Sequence, residues 1–194
     1  MMEESTAVLA TRLSRRLIKG GFTVAVAESC TGGLLASTLT DISGASKWFT
    51  YGWVTYSNKS KSSELGIPID LIDKHGAVST TIAAAMAEGA RLASGADLAI
   101  SLTGIAGPRA DDSDKKVGAV HVGVSTADGR RVKQAQFGGT RAENKDAFVT
   151  FALRTAIKQW DLLHDRDAKA DDEKRKQDAI DLENRMQKAR EKAV

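Results

Sequence analysis

The spacing of apolar positions changes several times along the chain, and each change marks an element. Leu9, Leu13 and Leu17 recur every fourth residue behind Ser5, a good helix cap, and Gly20-Gly21 end the run. Thr23 to Ala27 is short, apolar and partly β-branched, which predicts a buried strand. A small-residue helix is predicted over Gly32 to Ile42, a strand over Trp53 to Tyr56 and a short helix near Lys59 to Leu65. Pro68 opens a turn or a further helical segment. Ser79 can cap an alanine-rich helix from Thr80 to Ala93, closed by Gly95. Leu98 to Ile105 carries no charge and reads as an interior strand. Val120, Val122 and Val124 then alternate with His121 and Gly123, the period of a strand. Asp128-Gly129 turns the chain, so that Arg131 to Phe137 returns antiparallel. Thr140 can cap a last helix through Trp160.

Strands alternating with helices predict an α/β chain: a single three-layer α/β/α sandwich whose hairpin makes the sheet mixed. That domain is expected over residues 1–164. From Asp165 the pattern gives way to charge. Nine acidic and nine basic residues fill 18 of the 30 positions to Val194, without proline or aromatic residues. Ala179, Leu182, Met186, Ala189 and Ala193 form the one thin apolar line. Two readings stand: a solvated, helical or partly disordered extension, or a helix that docks on its own domain or on a partner subunit.

Composition narrows the function classes. With 42% hydrophobic residues among 194, the chain can bury a core without staples. A single cysteine, Cys30, leaves no internal disulfide and suits a reducing compartment. The first residues, MMEESTAV, lack the apolar stretch of a secretory leader, and no run is long enough to span a membrane. A net charge of +3 is too small to predict nucleic-acid binding. His75, His121 and His164 show no metal-ligand spacing, so no metal is expected.

Four segments place small, polar or glycine residues where strands should end, which is where α/β sheets build sites. Ala27-Glu28-Ser29-Cys30-Thr31-Gly32-Gly33 runs from a strand into a helix. Such a turn can hold an anion or an oxyanion, or present Ser29 or Thr31 as a nucleophile; equally, these hydroxyls can simply cap the helix. Cys30 is read as a small packing residue before a nucleophile. Tyr56 and Lys61 follow the second strand, and a buried lysine can act as base toward a serine if the two meet. Thr103 to Pro108 forms a glycine-rich loop after the interior strand. Arg141 stands in the first turn of a helix, where its charge opposes the helix dipole, a misfit that anion binding would explain.

AESCTGG (27–33), WFTYGWVTYSNKSK (48–61), HGAVS (75–79), TGIAGP (103–108) and VGAV (117–120) occur in this order. On these motifs, over about residues 5–160, the chain resembles the CinA C-terminal domain family, whose active members are nicotinamide-nucleotide amidases. The resemblance implies hydrolysis of nicotinamide mononucleotide to nicotinate mononucleotide and ammonia, in pyridine-nucleotide salvage. It implies a cytoplasmic homodimer or higher oligomer that takes a small nucleotide and needs no metal or cofactor. Carried over by motif, Ser29 is the nucleophile, Lys61 moves its proton, and Tyr56 orients Lys61 or steadies the hydroxyl. Amides around Thr31, Gly32 and Gly33 form the oxyanion hole, Thr103 and Gly104 line the pocket, and Arg141 holds the phosphate. Glu28 or an aromatic face would favour the cationic ring.

One departure bears on function. After TGIAGP the family usually has a glycine pair, and then Lys-Pro before Val-Gly. Here the loop reads Arg109-Ala110-Asp111-Asp112-Ser113-Asp114-Lys115-Lys116. The alternative reading is therefore a divergent homologue that binds a nucleotide or partner with altered or lost amidase activity.

Overall fold

A computed structural model describes residues 4–110 and 115–162. The chain divides into two units, Met1–Ile157 and Lys158–Val194; of the second, residues 158–162 are described and are helical. The expected charged extension, 165–194, lies outside the described residues.

Each helix end has a local cause. Helix α1 (Thr6–Gly20) begins where the Ser5 hydroxyl accepts the Val8 N–H, and it stops at Gly21, whose φ of 69° continues no helix. Its stripe Leu9, Leu13 and Leu17 is fully buried, at roughly 1.5–3 kcal/mol for each side chain. Strand β1 (Val24–Glu28) leads to α2 (Leu34–Thr40), a short 3-10 turn (Ala45–Lys47) and β2 (Phe49–Val54). Helices α3 (Asn58–Leu65), α4 (Ile69–His75) and α5 (Thr80–Ser94) follow. Ser79 caps α5 by accepting the Ile82 N–H. Strands β3 (Leu98–Gly104), β4 (Ala119–Thr126) and β5 (Gly129–Gln136) complete the sheet, and α6 covers 141–162. Thr140 and Glu143 cap α6 reciprocally, the carboxylate accepting from the Thr140 amide and hydroxyl.

The strand order is β2-β1-β3-β4-β5. β1 runs parallel to β2 and β3, β4 runs antiparallel to β3, and β5 antiparallel to β4, so the sheet is mixed as predicted. One face carries α5 with α3 and α4: Ala27, Leu65, Ile72, Ile82, Met86 and Ala99 form one buried cluster there. The other face carries α1, α2 and α6. Gly52 of β2 lies under Ala36 of α2, and the Thr6 and Thr150 hydroxyls meet at 2.7 Å between α1 and α6. Three layers result. Between α5 and β4 the packing is tight at Gly123, where an added Cβ would run into the Ala83 carbonyl oxygen.

Two element boundaries differ from expectation. The second strand is Phe49–Val54, not Trp53 to Tyr56. It is an edge strand with most of its side chains partly or fully exposed, so burial imposes no apolar alternation on it. Helix α2 starts at Leu34, because Gly32 and Gly33 have φ of 65° and 98° and cannot be helical; it stops at Thr40, short of Ile42. No described helix is long and apolar enough to cross a membrane.

The register brings three loops to one sheet edge. Glu28 pairs with Val54 on one side and Leu102 on the other, and Gly104 pairs with Val120. The β1–α2 turn, the β2–α3 link and the loop after β3 therefore lie side by side.

Candidate active site

Ser29 is the first residue beyond β1. Its N–H donates to the Leu102 carbonyl at 3.0 Å, which ties the turn to β3. Lys61 reaches it from α3. The helix starts there because Ser57 and Ser60 form a capping box, and Lys61 falls on its inward side. The lysine is 1% exposed, and its ammonium lies 3.1 Å from Ser29 Oγ. The two residues are 32 apart in sequence, so the fold alone makes this contact.

Two main-chain carbonyls complete the surroundings of the lysine. Nζ donates to the Thr55 carbonyl at 2.9 Å and to the Tyr56 carbonyl at 3.2 Å. A carbonyl can only accept, so each holds one N–H. The remaining tetrahedral position of Nζ faces Ser29. When Lys61 is charged it donates there; when neutral it presents its lone pair to the serine hydroxyl. Burial favours the neutral form and brings the lysine from its ordinary 10.5 down to about 8, against a smaller opposing influence from Cys30. The geometry and the electrostatics agree: Lys61 can take a proton from Ser29 near neutral pH.

Thr31 is fully buried and its hydroxyl has no partner among the described residues, whereas Ser29 lines the cavity beside Lys61. Cys30 also borders the cavity, but burial pushes its thiol up to about 12, so it stays protonated and unreactive.

The glycine turn is organised by Glu28. This fully buried carboxylate accepts the N–H groups of Gly33 and Leu35 at 3.1 Å and of Ala36 at 2.8 Å. It occupies the N-terminus of α2, where a bound anion would otherwise sit. The Gly32 amide donates to the Ser29 carbonyl. The Gly32 and Gly33 amides are thus already engaged. Those of Cys30 and Thr31 are the amides of this turn without a carbonyl or carboxylate acceptor among the described residues. Glu28 faces α2 rather than the cavity, so it does not meet a ring bound there.

The cavity above Ser29 and Lys61 has a volume of about 410 Å³, within the usual range for a small-molecule site. Thr103 and Gly104 line it. The Thr103 hydroxyl is turned to the Ala77 carbonyl at 2.8 Å, and Gly104 has no room for a Cβ against the Ala119 carbonyl. At the mouth, Arg141 donates to the Gly107 carbonyl at 2.6 Å and to the Tyr56 phenol at 3.0 Å. Tyr56 therefore serves two ends of the site: its carbonyl holds Lys61, and its exposed ring and hydroxyl border the opening. Among the described residues no group of His, Cys, Asp and Glu is placed to hold a metal ion.

Two contributors gave no sequence signal. The Thr55 carbonyl is a group every residue has. Asn144, 1% exposed, donates to the Ala106 and Gly139 carbonyls at 3.0 Å each and so fastens α6 to the loop after β3. A lone asparagine in a helix does not announce that clamp. Arg109 joins the cavity wall from the altered loop, whose acidic positions 111–114 lie outside the described residues.

Comparison with known proteins points the same way. The model of the CinA C-terminal domain matches residues 6–160. A CinA-like protein of Chlorobium phaeobacteroides is 47% identical over 159 residues, covering 79% of this chain and 37% of the relative. The chain thus spans little more than a third of that relative's length. The protein named nicotinamide-nucleotide amidohydrolase PncC of Enterobacter agglomerans is 40% identical over 161 residues, covering 82% of this chain and 98% of the relative. The crystal structure of the competence/damage inducible protein CihA of Agrobacterium tumefaciens superposes with a TM-score of 0.77 at 37% identity, covering 81% of this chain and 97% of that one.

Proposed function

The chain belongs to the CinA C-terminal domain family, and from that premise we propose that it is an amidohydrolase of the serine–lysine type. Its substrate is nicotinamide mononucleotide, and its products are nicotinate mononucleotide and ammonia. The observation that carries this reading is the 3.1 Å contact between Ser29 Oγ and a buried lysine at the floor of a cavity. The relative named as a nicotinamide-nucleotide amidohydrolase, matched over nearly its whole length, supports the choice of substrate.

The chemistry follows from the three positions around Nζ. Neutral Lys61 takes the Ser29 proton as Oγ attacks the carboxamide carbon, forming a C–O bond and a tetrahedral oxyanion. The Cys30 and Thr31 amides are the donors in reach of that turn for the oxyanion; the residue after a nucleophile commonly serves so. Lys61 then returns the proton to the amide nitrogen, the C–N bond breaks, and ammonia leaves. A water, deprotonated by Lys61, opens the ester on Ser29, and the serine regains its proton. Arg141 at the mouth pairs with the phosphate, and the Tyr56 ring borders the pyridinium.

The test is ammonia release from nicotinamide mononucleotide by the purified chain, compared with Ser29→Ala and Lys61→Met. Release by the parent and none by either variant is the expected result. Equal rates in all three, or no release by the parent, would defeat the reading. Arg109 and Ala110, in place of the family's glycines, motivate the second reading, a homologue that binds the nucleotide without turnover. Calorimetric binding with no ammonia from the parent would favour it.

A further inference from the structure

The cavity carries a charge pattern that the reaction does not require. Three cationic side chains line it, namely Lys61, Arg109 and Arg141, and no carboxylate does among the described residues. Their placement divides the cavity. Lys61 is buried at the floor, while both arginines are exposed at the mouth. Their partners differ as well. Arg141 is partly committed, with one terminal nitrogen on the Gly107 carbonyl and the other on the Tyr56 phenol. Arg109 lines the cavity with no hydrogen-bond or ionic partner among the described residues.

From this pattern we infer that Arg109 is a specificity-determining residue that binds the phosphate of the substrate together with Arg141. The inference rests on the amidase reading for the identity of the substrate, and it concerns the opposite end of the molecule from the amide. A phosphate monoester carries up to two negative charges and three acceptor oxygens. Arg141, held by two contacts, offers it only its remaining hydrogens. Arg109 adds a second planar fork, the shape that matches phosphate with two parallel hydrogen bonds. The residue that breaks the family's glycine pattern therefore selects for a phosphorylated ligand over its nucleoside. Because Arg109 stands exposed at the mouth while Ser29 is buried at the floor, its effect falls on binding.

The experiment compares the parent with Arg109→Gly, which restores the glycine, and with Arg109→Lys. Ammonia release is followed with nicotinamide mononucleotide and with nicotinamide riboside, which lacks the phosphate. For the mononucleotide, Arg109→Gly is expected to raise KM about tenfold and to change kcat less than twofold. Arg109→Lys should recover part of that loss. For the riboside, the change in KM should be much smaller. A KM shift equal for both compounds, or absent for the mononucleotide, overturns the inference while leaving the amidase reading intact. Independently, ribose 5-phosphate and ribose are titrated calorimetrically into Ser29→Ala with and without Arg109→Gly. Weaker binding of ribose 5-phosphate in the double variant supports the anion site even where no ammonia is formed. Equal binding in both, or none in either, overturns it.

Discussion

The floor and the mouth of the cavity are built on opposite principles. At the floor Ser29 and Lys61, and beneath it Glu28, are buried, and the side chains of all three have partners within the fold. At the mouth, Tyr56, Arg109 and Arg141 are exposed, and a ligand can complete what the protein leaves open. The contrast assigns the work. Bond breaking needs groups held in one geometry in a dry place, where a lysine can lose its proton. Recognition of a solvated anion needs cations that keep hydrogen-bonding capacity in reserve. Changes at the floor should therefore reduce turnover or stability, and changes at the mouth should alter affinity.

The largest effect that separates the two regions is Ser29→Ala. It should lower kcat for ammonia release by about a thousandfold or more while leaving nucleotide binding measurable by calorimetry. A variant that instead lost binding and kept its rate would place Ser29 at the mouth. Glu28→Gln tests the support beneath the serine. An amide replaces a carboxylate that accepts three N–H groups, and its own NH2 cannot accept, so a loss of about 3 kcal/mol is expected in urea denaturation. Unchanged stability would mean that α2 does not depend on that cap.

The pH profile comes next. In the proposed mechanism Lys61 is the base; with burial bringing it down to about 8, kcat/KM should rise about tenfold per pH unit below that value and level off above it. A flat profile between pH 6 and 9 would remove Lys61 from the proton transfer. The same depression also links pH to folding. Between about 8 and the ordinary 10.5 the unfolded chain binds the proton that the folded chain has lost. The contribution of Lys61 to stability should therefore increase with pH across that window, and Lys61→Met should lose that increase. The smallest effect is expected of Tyr56→Phe. It removes the phenol that meets Arg141 and keeps the carbonyl that holds Lys61. KM should rise a few-fold with the pH limb unmoved; a displaced limb would show that the phenol does reach the lysine.

What the sequence conveyed follows the same division. The layered fold and its mixed sheet were readable because buried elements must repeat at their own period, as Leu9, Leu13 and Leu17 do in α1 and the valines do in β4. Edge strand β2 escaped in part, since exposure relaxes that rule. Among site residues, Ser29 and Lys61 are legible as candidates, but a helix cap accounts for the serine equally well, and only the fold brings the two together. The roles of Glu28 and Asn144 depend on which amide or carbonyl each side chain faces, and that is decided only when distant segments meet. The engaged amides of Gly32 and Gly33 were hidden for the same reason: a glycine pair looks alike whether its N–H groups are open or filled.

The orientation of Lys61 has one more consequence. The oxygens that aim it belong to the main chain at positions 55 and 56, so no exchange of side chain at either position can delete them. The aim of the base is thereby insulated from point mutation at its own contacts. Evolutionary drift can reach it only by rerouting the backbone, through the end of β2 or the serine cap of α3. Thr55 is buried, but Tyr56 turns an exposed side chain to the opening, so the surface at position 56 can be retuned to new ligands while the main-chain hold on Lys61 beneath stays fixed.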